Sequence, residues 1–112
     1  MKLKTTLAAA ALISLVSTGA MAAGDKAKGQ ALYTTCAACH GQNGEGQEAL
    51  NAPKLAGQEE WYVVRQLQNF KTGVRGASPQ DVFGMQMAPM SQLLTDDQAM
   101  EDVAAYVKSL AK

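Results

Sequence analysis

The sequence predicts an all-α protein, one small domain of about three main helices. Three observations lead there. Apolar residues after position 24 recur at helical rather than alternating spacing, no run reads as a strand, and the breaks fall at glycines and prolines. The chain also carries only two cysteines and one histidine, and all three stand together at the end of the first helical segment.

The first 22 residues belong to a different class of segment. Met1-Lys2-Leu3-Lys4 is followed by an apolar run from Leu7 to Val16 and then by Ala20-Met21-Ala22, the three parts of a secretory signal. The run is about half of the roughly twenty residues a spanning helix needs. Cleavage is expected after Ala22, with Ala23 as the alternative, leaving residues 23–112 as the domain. No later segment has spanning length, so a soluble mature protein is expected. Losing Lys2 and Lys4 leaves eight basic residues against ten acidic ones. That balance gives no basic stripe for nucleic acid. About ninety residues bury only about 60% of their unfolded surface. Cysteines three positions apart close too small a loop to compensate. Some other group is expected to complete the core.

The first helix is expected over Asp25 to about Ala38, with Ala27, Ala31, Leu32 and Thr35 or Cys36 at helical spacing. Gly29 in its middle costs about 1 kcal/mol relative to alanine, a cost that a closely crossing helix would explain. The run Gly41 to Gly46 reads as a loop, and it lacks the strand and helix a phosphate cradle requires. A second helix is expected over Glu59 to Thr72, with Val63, Leu67 and Phe70 as its stripe, Trp61 and Val64 widening it, and Gly73 closing it. Val74 to Leu94 reads as a long irregular stretch, punctuated by Gly76, Pro79, Gly84 and Pro89, of the kind that serves a function. The last helix starts at a capping-box pattern, Thr95 with Gln98, followed by Met100, Val103, Val107 and Leu110 on its apolar face.

Cys36-Ala37-Ala38-Cys39-His40 carries the chemistry. Cys-x-x-Cys-His is the attachment signature of c-type haem. Two thiols three positions apart reach the two vinyl groups on one porphyrin edge, and the next residue sets an imidazole beneath the iron. A thioredoxin-like site would need a βαβ context, and a structural zinc site a fourth ligand. His40 being the sole histidine, bis-histidine ligation within one chain is excluded. Methionine, lysine, an exogenous molecule or nothing then fills the sixth position. Met85, Met87 and Met90 within six residues favour methionine over mere gap-filling. A thioether ligand raises the potential and closes the iron to substrates.

The chain resembles a class I cytochrome c, and is similar to one half of the tandem di-haem cytochromes of bacterial periplasms. The resemblance runs from Gly29-Gln30-Ala31-Leu32-Tyr33 through Cys36–His40 and Ala52-Pro53-Lys54-Leu55-Ala56-Gly57-Gln58. It continues in Tyr62, Gln66-Leu67, Phe70, the methionine segment, Leu94-Thr95-Asp96 and Val103-Ala104-Ala105-Tyr106. One haem motif, not two, is present. The resemblance implies that the first and last helices cross near Gly29 and Tyr106, and that the Pro53 carbonyl accepts a hydrogen bond from His40 Nδ1, orienting the ligand. It also implies Met87 as the sixth ligand, because the family's methionine stands seven residues before the Leu-Ser/Thr-Asp start of the last helix; Pro89 stiffens the segment just beyond. Tyr62 or Trp61 either binds a haem propionate or packs at the boundary. Lys71 and Arg75 read as a solvated edge rather than propionate partners.

The function expected is that of a periplasmic one-electron carrier with one covalent haem c, a monomer or weak dimer. It would pass electrons between respiratory complexes or to a terminal oxidase or reductase, catalysing no substrate reaction. A haem enzyme or sensor with an open sixth position, and an electron-entry subunit held by a dehydrogenase, are the alternatives.

Overall fold

A computed structural model describes residues 1–6, 8–13 and 23–111. The expected cleavage site at Ala20-Met21-Ala22 lies outside the described residues. Among those described, four α-helices and one short 3-10 turn form the fold, with no strand beyond a single bridge between Gln47 and Ala52. No helix among them is long and apolar enough to cross a membrane.

Helix α1 spans Lys26–His40. Asp25 caps it, its Oδ1 accepting from Ala27 N at 2.9 Å and Lys28 N at 3.2 Å. Gly41, at φ 88°, ends it. Its buried stripe is Gly29, Tyr33, Ala37 and His40, which differs from the expected one. Ala31, Leu32, Thr35 and Cys36 instead line an open cleft, and Ala27 is exposed. The apolar spacing is helical, but that face looks into the cleft and a neighbouring stripe enters the core.

Helix α2, Glu60–Lys71, buries Val63, Val64, Leu67 and Phe70. Trp61 does not widen that stripe: it is 60% exposed. Thr72 closes the helix and Gly73 follows at φ 80°.

Within the stretch expected to be irregular, Val82–Ser91 forms a third helix, α3. Gly84 and Pro89 depress its propensity, and Pro89 removes the donor for the Met85 carbonyl. Asp81 compensates at the other end. Its Oδ1 accepts from Gly84 N and its Oδ2 from Gly76 N, each at 3.0 Å. A Cβ on Gly84 would stand 2.1 Å from Asp81 Oδ2, so the residue that weakens the helix is the one that admits its cap.

Helix α4 spans Asp97–Ser109. Asp96 caps it rather than Thr95, accepting from Ala99 N at 2.8 Å. The α1–α4 crossing is the tightest in the molecule: a Cβ on Gly29 would stand 1.9 Å from the Asp102 carbonyl oxygen and 2.9 Å from Tyr106 Cβ. Tyr33 and Tyr106 pack with ring centroids 5.3 Å apart. The core gathers Tyr33, Val64, Leu67, Leu94, Val103 and Val107, with Leu32, Cys36 and Met87 packed partly buried against it.

Candidate functional site

The loop after α1 is folded back so that it covers the last residue of that helix. Gly46 N donates to the His40 carbonyl at 2.7 Å, and the Gly44 carbonyl accepts from Leu55 N and Ala56 N at 2.8 and 3.0 Å. Gly44 and Gly46 have φ of 64° and 81°, which glycine adopts without a Cβ penalty. Gly57 N then donates to the Val107 carbonyl at 3.0 Å, tying the loop to α4.

The folded-back loop places the Pro53 carbonyl oxygen 2.8 Å from His40 Nδ1. A carbonyl only accepts, so Nδ1 carries the proton and Nε2 holds the lone pair open to a metal. His40 is buried. Tyr33 supports the turn beneath it, donating from its hydroxyl to the Gly41 carbonyl at 2.7 Å. Burial pushes the Tyr33 phenol up to about 12.

Cys36 is half-buried and Cys39 exposed, and neither is in a disulfide. Burial pushes the Cys36 thiol up. Cys36 lines an apolar cleft between α1, α2 and α3, whose walls also include Leu32, Leu67, Met87, Met90 and Leu94. The three methionines are therefore not equivalent. Met87 is half-buried and packs on the core, Met90 lines the cleft while 45% exposed, and Met85 is 46% exposed and does not reach the cleft wall.

Other residues singled out from the sequence go elsewhere. Tyr62 and Trp61 do not line the cleft; they pack edge-on at 5.8 Å, with the Arg65 guanidinium 5.1 Å from the Trp61 ring. Lys71 is no solvated edge: its ammonium donates to the Leu94 carbonyl. Arg75 lies over Phe70 at 4.3 Å and donates to Gln66 Oε1 at 2.7 Å. Sequence reasoning missed Asp81 and Asp102. An Asp three residues before Gly84 was the available capping signal for the first. The second, a buried carboxylate on α4 accepting from Asp25 N at 2.8 Å, had none.

The donor set fits a covalently held haem. Two unpaired cysteines and an imidazole whose Nδ1 is hydrogen-bonded, leaving Nε2 for a metal, stand within five positions at the end of α1, and Cys36 shares an apolar cleft with the Met87 thioether. Comparison with known proteins agrees. Residues 26–111 match the family model described as cytochrome c. Cytochrome c4 of Stutzerimonas stutzeri is 45% identical over 101 residues, covering 88% of this chain and 47% of that protein. This chain thus spans about half the length of that relative. Cytochrome c-554(548) of Halomonas halodenitrificans is 36% identical over 87 residues, which is 78% of this chain and 98% of the relative. Among solved structures, reduced recombinant cytochrome c4 from Pseudomonas stutzeri superposes with a TM-score of 0.63 at 40% identity, over 80% of this chain and 47% of that one. By its helical architecture, its Cys-x-x-Cys-His site and these matches, the chain belongs to the cytochrome c family.

Proposed function

We propose that this chain is a one-electron carrier that works in the periplasm, after loss of residues 1–22, through a single covalently held haem c. Bound haem supplies an iron that takes up and releases one electron at a time. Cys36 and Cys39 would tether it by thioether links, and His40 Nε2 and Met87 Sδ would be the atoms that hold its iron. The observation that carries this reading is the 2.8 Å hydrogen bond from His40 Nδ1 to the Pro53 carbonyl, with the half-buried Cys36 four residues earlier on the same helix.

The chain's residues divide the work. Pro53 holds the imidazole plane and raises its basicity through that hydrogen bond. Met87, on the cleft wall, would offer the iron a soft thioether that favours the reduced state. Leu32, Leu67 and Leu94 give the cleft an apolar wall. Tethering matters because the cleft encloses about 150 Å³, below the roughly 300 Å³ at which pockets begin to enclose whole ligands. One Cys-x-x-Cys-His motif supports one haem per chain. His40 and Met87 would together leave the iron no open position for a substrate, and the cleft wall is otherwise built mainly of apolar side chains, which supports exchange of electrons with protein partners as the role. An oxidase, reductase or dehydrogenase is the expected class of partner, met by a monomer or weak dimer.

Intact-mass spectrometry of the protein exported from haem-replete cells tests this. The expected mass is that of the chain from Ala23 plus one haem. A mass equal to the bare polypeptide would overturn the proposal.

A further inference from the structure

We propose that Lys71, together with Gln92, is a positioning device for Met87, a clasp that fixes the C-terminal end of α3 against the end of α2. The inference rests on the reading of Met87 as an iron ligand.

Helix α3 needs outside support. At ten residues it is too short to persist alone, and Gly84 and Pro89 weaken it further. No residue between Val82 and Leu94 is charged, so no ion pair anchors the segment. Its N-terminal end is held by the Asp81 fork to Gly76 and Gly84. Beyond Ser91 the backbone tightens, with Gln92 N, Leu93 N and Leu94 N each donating three residues back at 3.2 Å. Two opposed hydrogen bonds then join this turn to Lys71. Gln92 Nε2 donates to the Lys71 carbonyl at 3.1 Å, and Lys71 Nζ donates to the Leu94 carbonyl.

Lysine ordinarily keeps its ammonium in water. Here the half-buried Lys71 spends it on a backbone carbonyl in a segment 23 residues away. The position suits a cation twice, since Lys71 is in the last turn of α2, where the helix dipole is negative. What the clasp fixes is the cleft wall itself, because Met87, Met90, Leu93 and Leu94 all line it. A thioether is a weak ligand that competes with water or imidazole for iron. Its hold therefore scales with the fraction of time the arm stays in place.

The test compares the haem-loaded wild type with Lys71→Met, Lys71→Arg and Gln92→Ala. Imidazole is titrated into each oxidised protein well below its unfolding temperature, and the near-infrared iron–sulfur band is recorded. Lys71→Met should bind imidazole about tenfold more tightly with a weakened band, the scale of one lost charge-assisted hydrogen bond. Lys71→Arg keeps a cationic donor and should restore most of the wild-type behaviour. Gln92→Ala should shift imidazole affinity in the same direction by about threefold, as for a neutral hydrogen bond. A lower unfolding temperature with unchanged imidazole affinity in Lys71→Met would mean a merely structural role and overturn the proposal. If that variant does not fold, Gln92→Ala decides alone, and an unchanged affinity there is equally fatal. A wild type without the band, or a band surviving in Met87→Leu, would instead remove the ligand reading beneath, and the proposal with it.

Discussion

The carbonyl oxygen of Asp102 occupies the space beside Gly29 so closely that a Cβ there would lie 1.9 Å from it. Both partners belong to helix backbones, α1 and α4, so neither can move aside as a side chain would. The same crossing is fastened by the Asp102 carboxylate, which accepts from Asp25 N at 2.8 Å and from Gln98 Nε2 at 3.1 Å. Gly29→Ala should therefore force the helices apart and cost about 3 kcal/mol, the upper part of the usual range for overpacking. Urea unfolding of the two proteins measures it, and a loss below about 1 kcal/mol, the bottom of that range, would show that the crossing gives way easily.

Asp102 also predicts an acid limit. The Asp25 backbone N–H, donating to it, holds its carboxyl below the usual carboxylate range, with a smaller contribution from Gln98. Its folded value lies below its unfolded one, so its stabilisation is present above about pH 4 and is lost as pH falls through the folded value. Asp102→Asn should be less stable than wild type at pH 6, and the gap should narrow by pH 3. A gap that stays constant with pH would contradict this.

At alkaline pH the sign reverses. The Tyr33 phenol, raised by burial to about 12 from an ordinary 10.0, stays protonated in the folded state after its unfolded counterpart has ionised. Stability should therefore fall between pH 10 and 12 in the wild type and remain flatter in Tyr33→Phe. At neutral pH the same variant removes the Tyr33 donor from the Gly41 carbonyl, which keeps Gly44 N at 3.2 Å, and should cost about 0.5–1.5 kcal/mol. Denaturant midpoints across that pH range give both readings.

Separate replacement of Met85, Met87 and Met90 by leucine discriminates among the three sulfurs. Met87→Leu alone should abolish the near-infrared iron–sulfur band and lower the potential markedly. Met90→Leu should leave the band with a small shift, because its sulfur is on the cleft wall, and Met85→Leu should leave both unchanged. Disappearance of the band in Met90→Leu, with survival in Met87→Leu, would reassign the ligand.

The proposed haem-attachment residues were legible because the chemistry proposed for them is local. Cys36, Cys39 and His40 lie within five consecutive positions at the end of one helix, and spacing along a chain is all such a site requires. The stripes of α2 and α4 were legible for a similar reason, since Val63, Leu67 and Phe70, or Met100, Val103 and Val107, repeat at the helical period and do enter the core. Helix α3 was not. Its glycine and proline argue against a helix; Asp81 caps one end locally, while Lys71 and Gln92 hold the other through contacts that only the fold brings near. The face of α1 that meets the core was likewise decided by tertiary structure. Gly29 and Tyr33 turn inward because α4 crosses there, which leaves Leu32 and Cys36 to the cleft. Local spacing was enough to nominate Cys36, Cys39 and His40 and to place most of the helices. The resemblance anticipated the close crossing of α1 with α4, the Pro53 carbonyl beside His40 and Met87 over its neighbours. Yet the contacts that realise the first two, and the deeper burial of Met87 than of Met85 or Met90, join groups far apart in the chain. Their positions follow from packing, which no local spacing encodes.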